Sequence, residues 1–173
     1  GLTKGMKESE GRTFFYIVFA TIPAAIMGVL FEDVIENAIR NNFIIIALAL
    51  IVMGIIIYIA DKKSKEEKTI STMSIKDAFI IGCSQVFALI PGFSRSGITI
   101  AAGRIMKLKR EDAAKFSFYL SAPVVLGAVV LSLFKDNTIS LIMANLPIFI
   151  VGVATSFSIG LLCINFLLKY LRK

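Results

Sequence analysis

The sequence predicts an all-α integral membrane protein, a multi-pass helical bundle that carries one re-entrant helix-loop-helix hairpin. Three observations predict it. Of 173 residues, 57% are hydrophobic and the mean hydropathy is +0.82, well above what a soluble domain carries. Four long runs contain no charge. A fifth apolar segment, residues 78–103, is uncharged over 26 residues except for Arg95. Together they make one membrane domain, 1–173, with no length left over for a separate soluble module.

The uncharged runs are residues 13–31 (19 residues), 43–60 (18), 116–134 (19) and 137–168 (32). About 20 apolar residues cross the roughly 30 Å hydrocarbon core, so spans are expected at about 13–31, 43–60, 116–134 and 141–168. Pro23 and Pro123 fall inside two of them, where neighbouring helices tolerate kinks. The run from Thr21 to Gly28 looks like the run from Ser121 to Gly127, a hint of duplication that needs one gap to align. Gly152, Ser156 and Gly160 recur every four residues and suit ordinary close packing in a bundle. The charged first twelve residues are not a cleavable signal, because no small-residue cleavage site follows the apolar run. The chain starts with Gly rather than Met, so upstream residues are expected. Cys83 and Cys163 lie in apolar runs without CxxC spacing or any histidine, and are read as buried thiols.

Segment 78–103 could span once or turn back. The Pro91-Gly92 pair splits it into arms of about 12–14 residues, each reaching about 20 Å, short of a full crossing. Charge decides between the two. Residues 61–77 carry five Lys and Arg, and residues 104–115 carry five more. If the segment crosses, these loops lie on opposite faces. If it is re-entrant, 16 basic residues lie inside and 2 outside, with Arg95 in the membrane. The positive-inside rule selects the hairpin. Broken backbone at membrane depth needs protein or a wet cavity around it, so the tip is expected to line a cavity. The net charge of +7 then belongs to cytoplasmic loops rather than to nucleic-acid binding. The cluster 62–68 reads as a solvated loop, and 104–115 as a loop that anchors at anionic headgroups.

The tip itself, Pro91-Gly92-Phe93-Ser94-Arg95-Ser96-Gly97-Ile98-Thr99, carries the chemistry. An arginine at membrane depth costs roughly 2.5–3.5 kcal/mol on insertion scales and must be compensated. Its guanidinium grips phosphate with two parallel bonds and stays charged. Ser94, Ser96 and Thr99 offer hydroxyls, and Gly92 and Gly97 let backbone N–H groups come close. A helix starting near Ser96 would add its dipole. The expected site is therefore an anion site for a phosphate, built from Arg95, the hydroxyls of Ser94, Ser96 and Thr99, and the backbone at Gly92 and Gly97. The blander alternative is a capped helix break whose arginine pairs with a carboxylate or carbonyl elsewhere. No Gly-Lys-[Ser/Thr] loop is present, Cys83 has Leu89 rather than Arg six residues on, and the chain has no histidine. No general base is evident.

The stretch from Gln85 through Pro91-Gly92-Phe93-Ser94-Arg95-Ser96-Gly97 to Thr99, followed by Phe116 to Pro123 and joined by Thr21 to Gly28, resembles the bacterial undecaprenyl-diphosphate phosphatase family, also called the bacitracin-resistance family. The resemblance covers nearly the whole chain. It implies a multi-pass protein of the bacterial plasma membrane, built from inverted repeats, each with a re-entrant hairpin, of which this chain holds half. It implies removal of the terminal phosphate of undecaprenyl diphosphate to regenerate the carrier for cell-wall synthesis. Arg95 would clamp the diphosphate, with Ser94, Ser96 and Thr99 lining the site. It also implies a divalent cation, Mg or Ca, whose ligands are not in this chain, and leaves room for a homodimer. The family's Glu-rich segment and Ser-Ser-x-Gly-His motif are absent here, as is its last helix, so the chain looks like an internal fragment. A transporter or flippase of a phosphorylated lipid or anion, using the broken helix as its binding site, is the alternative function. A noncatalytic membrane subunit is a third.

Overall fold

The structure, a computed structural model, describes residues 2–31, 42–134 and 137–171, with side chains from residue 11 onward. Most of the expected outer loop with Arg40 (residues 32–41), the 135–136 turn and the basic residues 172 and 173 lie outside the described residues. The chain forms two compact units, residues 1–123 and 124–173.

The described helices are α1 (Leu2–Leu30), α2 (Phe43–Lys63), α3 (Ile75–Ser84), α4 (Arg95–Ile105), α5 (Arg110–Leu133), α6 (Thr138–Ala144) and α7 (Leu146–Leu171). Four of them are long and apolar enough to cross a membrane, over Gly11–Leu30, Phe43–Lys63, Arg110–Leu133 and Leu146–Leu171. Exposed Ile, Leu, Val and Phe side chains cover them, as expected of helices whose solvent is lipid rather than water.

In the first unit, α4 is the buried centre. Ile98 and Ala101 pack with Met53 and Ala60 of α2. Ala102, on its other side, joins Ala20 of α1, Ala78 and Ile81 of α3, and Phe116 and Leu120 of α5. Small residues permit the closest approach: a Cβ on Gly82 of α3 would stand 2.2 Å from the Ala20 carbonyl oxygen of α1. The two prolines are handled alike. Thr21 Oγ1 donates to the Ile17 carbonyl (2.8 Å) two residues before Pro23, and Ser121 Oγ donates to the Ser117 carbonyl (3.0 Å) two residues before Pro123. This likeness extends the sequence similarity of the two runs into geometry.

Helix α3, a 3-10 turn at Gln85–Leu89 and α4 form a hairpin. Both of its ends meet at Lys68. The Lys68 ammonium contacts both oxygens of Asp77 (3.0 and 2.8 Å), which also closes a capping box with Ser74 at the start of α3. Burial pushes the Asp77 carboxyl up, but hydrogen bonds from Lys68 and Ser74 together outweigh it and hold it below the ordinary carboxylate range. The Lys68 backbone pairs across the far end, its N–H donating to the Lys107 carbonyl (2.9 Å) while its carbonyl accepts from Lys109 N–H (2.9 Å). The tip reaches Ile46 and Ala49 of α2. From Ile46 to Lys63 is about 25 Å along a helix, so the tip stands far from the base.

The base is more structured than the expected solvated loops. Arg104 lies within α4 and is 3% exposed. Its Nη1 donates to Glu66 (3.0 Å) and to the Leu108 carbonyl (2.7 Å), and its Nε lies 3.2 Å from Asp61. Arg110 forks onto both oxygens of Asp61 (2.8 Å each) and begins α5. Residues 104–115 are thus two helix ends around a four-residue turn rather than one loop. Lys107 takes the left-handed conformation (φ 69°), and bonds from Lys107 N–H to Arg104 O (2.8 Å) and from Leu108 N–H to Gly103 O (3.0 Å) close α4.

The second unit contains the end of α5, α6 and α7. The 32-residue uncharged run breaks at Asn145, whose side chain donates to the Leu141 carbonyl (3.1 Å). Pro147 has no N–H to continue the ladder and sits in the first turn of α7, where none is needed. The last span accordingly begins at Leu146 rather than 141. No described residue of α7 is buried. Cys163, expected to be buried, is exposed on it, while Cys83 is partly buried; both are free thiols.

Candidate functional site

The tip is a tight turn set by two residues. Phe93 N–H donates to the Ile90 carbonyl (3.0 Å), with Pro91 and Gly92 between them and Gly92 at φ +100°. Proline followed by a positive-φ glycine is the type II combination. Gly92 is required twice over, since a Cβ there would also stand 2.7 Å from the Ile46 carbonyl oxygen. A side chain at Gly97 would press on Ile57 (3.1 Å) and Ser94 (3.0 Å). Both glycines therefore let the tip and the start of α4 lie against α2.

Ser94 caps α4. Its backbone is extended (φ −72°, ψ 120°) and its Oγ accepts from Gly97 N–H (3.1 Å). The cap leaves the Ser94 hydroxyl proton available, and Ser96 Oγ lies 3.4 Å away. Ile98 N–H reaches the Ser94 carbonyl (2.9 Å), so among the described residues the N–H groups of Arg95 and Ser96 have no acceptor. Such orphan donors at the positive end of a helix favour an anion. Arg95, the first residue of α4, is half-buried, and its guanidinium has no hydrogen bond or ion pair among the described residues. The start of α4 thus carries a half-buried arginine, two open N–H groups and two serine hydroxyls 3.4 Å apart.

The other site candidate, Thr99, is set apart from them. It lies one turn further along α4, is 1% exposed, and its hydroxyl is engaged with the Arg95 carbonyl (2.9 Å), the Ser96 carbonyl (3.2 Å) and Ser117 Oγ of α5 (2.7 Å). It ties α4 to α5 behind the arginine. Sequence reasoning gave Ser117 no role. The available signal was its spacing from Ser121, two hydroxyls on one face of an apolar helix. Gln85 was missed in the same way. It is 2% exposed at the start of the 3-10 turn, and its Nε2 has no partner among the described residues.

Among the described residues, no three His, Cys, Asp or Glu side chains come together, and Asp61, Glu66, Glu67 and Asp77 are each taken by a lysine or arginine.

Fold and site together define a multi-pass α-helical membrane protein with a polar helix start whose first residue is an arginine. The chain belongs to the bacitracin resistance protein BacA family, whose model matches residues 2–173. It is 44% identical over 167 residues to the undecaprenyl-diphosphatase of Caldicellulosiruptor bescii, covering 96% of this chain and 62% of that protein. It is 48% identical over 162 residues to the undecaprenyl-diphosphatase of Pelotomaculum thermopropionicum (94% and 60%), and 45% identical over 173 residues to that of Elusimicrobium minutum (100% and 64%). The chain thus spans a little over three-fifths of the length of these relatives.

Proposed function

We propose that the protein to which this chain belongs removes the terminal phosphate of undecaprenyl diphosphate in the bacterial plasma membrane, and that this chain supplies the arginine–serine half of the site. The observation that carries the reading is Arg95, half-buried and without a partner among the described residues, at the open start of α4. A diphosphate supplies what it lacks. The guanidinium takes two oxygens of the terminal phosphate, the Arg95 and Ser96 N–H groups face the charge that builds as the anhydride P–O bond breaks, and the Ser94 hydroxyl donates to a third oxygen. Water provides the replacing oxygen, directly or after attack by Ser94, and the lipid leaves as its monophosphate. The general base and the ligands of a divalent cation, Mg or Ca, come in this reading from residues outside those described. The family and the names of the relatives support the substrate.

Two substitutions at Ser94 separate its roles. Ser94→Ala in the full-length protein removes the hydroxyl and the cap; Ser94→Asn keeps a capping acceptor. Both are expected to slow phosphate release about tenfold or more, the worth of a charge-assisted hydrogen bond, while only the alanine variant loses thermal stability. Normal turnover by Ser94→Asn would reduce Ser94 to a cap.

The reading also takes α3, the tip and α4 as a re-entrant hairpin whose base faces the cytoplasm. Lys65→Cys and Lys109→Cys, each in a background without Cys83 and Cys163, should both resist a membrane-impermeant thiol reagent in intact cells. Labelling of one and not the other would place a crossing between them.

A further inference from the structure

A cavity of about 610 Å³ opens at the base of the first unit, between the ends of α2 and α4. Its walls are of two kinds. Ile56, Ile59, Ala60 and Ile105 form an apolar side; Ser64, Lys63, Lys65 and Lys107 form a polar rim. The division follows the membrane boundary. Ile56, Ile59 and Ala60 belong to the last turns of a spanning helix, Lys63 and Lys65 stand at and just past its end, and Lys107 just past the end of α4. Ile59 and Ile105 are 45% and 56% exposed.

The rim keeps an uncompensated positive charge. Lys107 pairs with Glu67 at 2.8 Å, and among the described residues Lys63 and Lys65 form no salt bridge, Lys65 acting on Glu67 only through its charge. Asp61 and Glu66, the other nearby acids, are held by Arg104 and Arg110. Three ammonium groups against one rim carboxylate, with a serine hydroxyl, above a branched aliphatic wall match a phosphate ester carrying an acyl chain. Free phosphate would use the rim alone and leave the isoleucines uncovered.

We propose that this groove seats one anionic phospholipid, its phosphate against Lys63, Lys65 and Lys107 and an acyl chain along Ile56, Ile59 and Ile105. The site is distinct from the Arg95 tip. The lipid would brace the hairpin at its base, where Ser64 also donates to the Arg104 carbonyl.

The test is native mass spectrometry of the 173-residue chain released from mixed micelles of phosphatidylglycerol and phosphatidylcholine with matched chains. One retained phosphatidylglycerol is expected, preferred about tenfold or more, since each basic side chain near an anionic surface is worth roughly a factor of five. The triple substitution Lys63→Gln, Lys65→Gln, Lys107→Gln should lower the preference below about threefold. The same three positions changed to Arg should keep it, which guards against loss through misfolding. Removing three lysines elsewhere, Lys62→Gln, Lys76→Gln and Lys109→Gln, should leave it intact. Equal retention of both lipids, equal loss in the two Gln triples, or complete displacement by glycerol phosphate would overturn the proposal, the last by showing that the headgroup alone is bound.

Discussion

Replacing Arg95 by lysine in the full-length protein is expected to lower phosphate release from a prenyl diphosphate by about a hundredfold or more, with expression nearly unchanged. The size follows from what is lost. Lysine keeps the charge but replaces a planar two-pronged donor by a single point. Removing one preorganised donor from an anion-stabilising site costs roughly 10²–10³ in rate. Expression should hold because the Arg95 guanidinium makes no hydrogen bond or ion pair among the described residues, so no polar tie of the fold depends on it. The same fact separates this arginine from Arg104, which is buried and engaged by Glu66, Asp61 and the Leu108 carbonyl. Arg104→Lys should therefore act on stability where Arg95→Lys acts on turnover. Phosphate release in detergent is the measurement. Activity of Arg95→Lys within about threefold of the parent, less than ~0.7 kcal/mol in barrier, would remove the clamp role.

That contrast marks how far the sequence could be read. The tip was legible because its chemistry is local. Proline before glycine breaks a helix, and the break forms as the turn at Ile90–Phe93. The next helix, expected near Ser96, starts one residue earlier at Arg95, with Ser94 as a cap that the sequence reading had not assigned. The distribution of lysine and arginine over the whole chain is the argument for a re-entrant arrangement; the structure itself shows α3 and α4 packed together through a 3-10 turn. What stayed hidden depends on partners distant in sequence. Thr99 looks like one more tip hydroxyl until Ser117, eighteen residues on, takes it at 2.7 Å. Arg104 reads as the first residue of a basic loop because a charge after an apolar run marks an end. Instead α4 carries it inside, and acids from the end of α2 and the turn beyond neutralise it. The break at Asn145 was within reach, since Pro147 two residues later already forbids an unbroken ladder.

The 173-residue chain by itself is expected to release no phosphate from undecaprenyl diphosphate, even when correctly inserted. Hydrolysis near neutral pH needs a group that takes or relays a proton, and a diphosphate usually needs a cation to offset its charge. The chain has no histidine. Its described acids at 61, 66, 67 and 77 sit at the base of the hairpin, tied to basic side chains, and Glu111 and Asp112 lie in the first turn of α5 just after it, while the tip that holds Arg95 reaches the Ile46 end of α2. Over a distance of about 25 Å, no proton passes in one step from those carboxylates to an anion at Ser94. The N–H groups, serines and guanidinium at the tip can bind and polarise a phosphate, but no carboxylate or histidine stands beside them among the described residues. The chain should therefore bind a prenyl diphosphate without turning it over. Supplying the remainder of a family member, fused or as a separate piece, should restore phosphate release. Metal-dependent release by the purified chain alone would show that a base lies among these residues after all, and the half-site reading would fall with it.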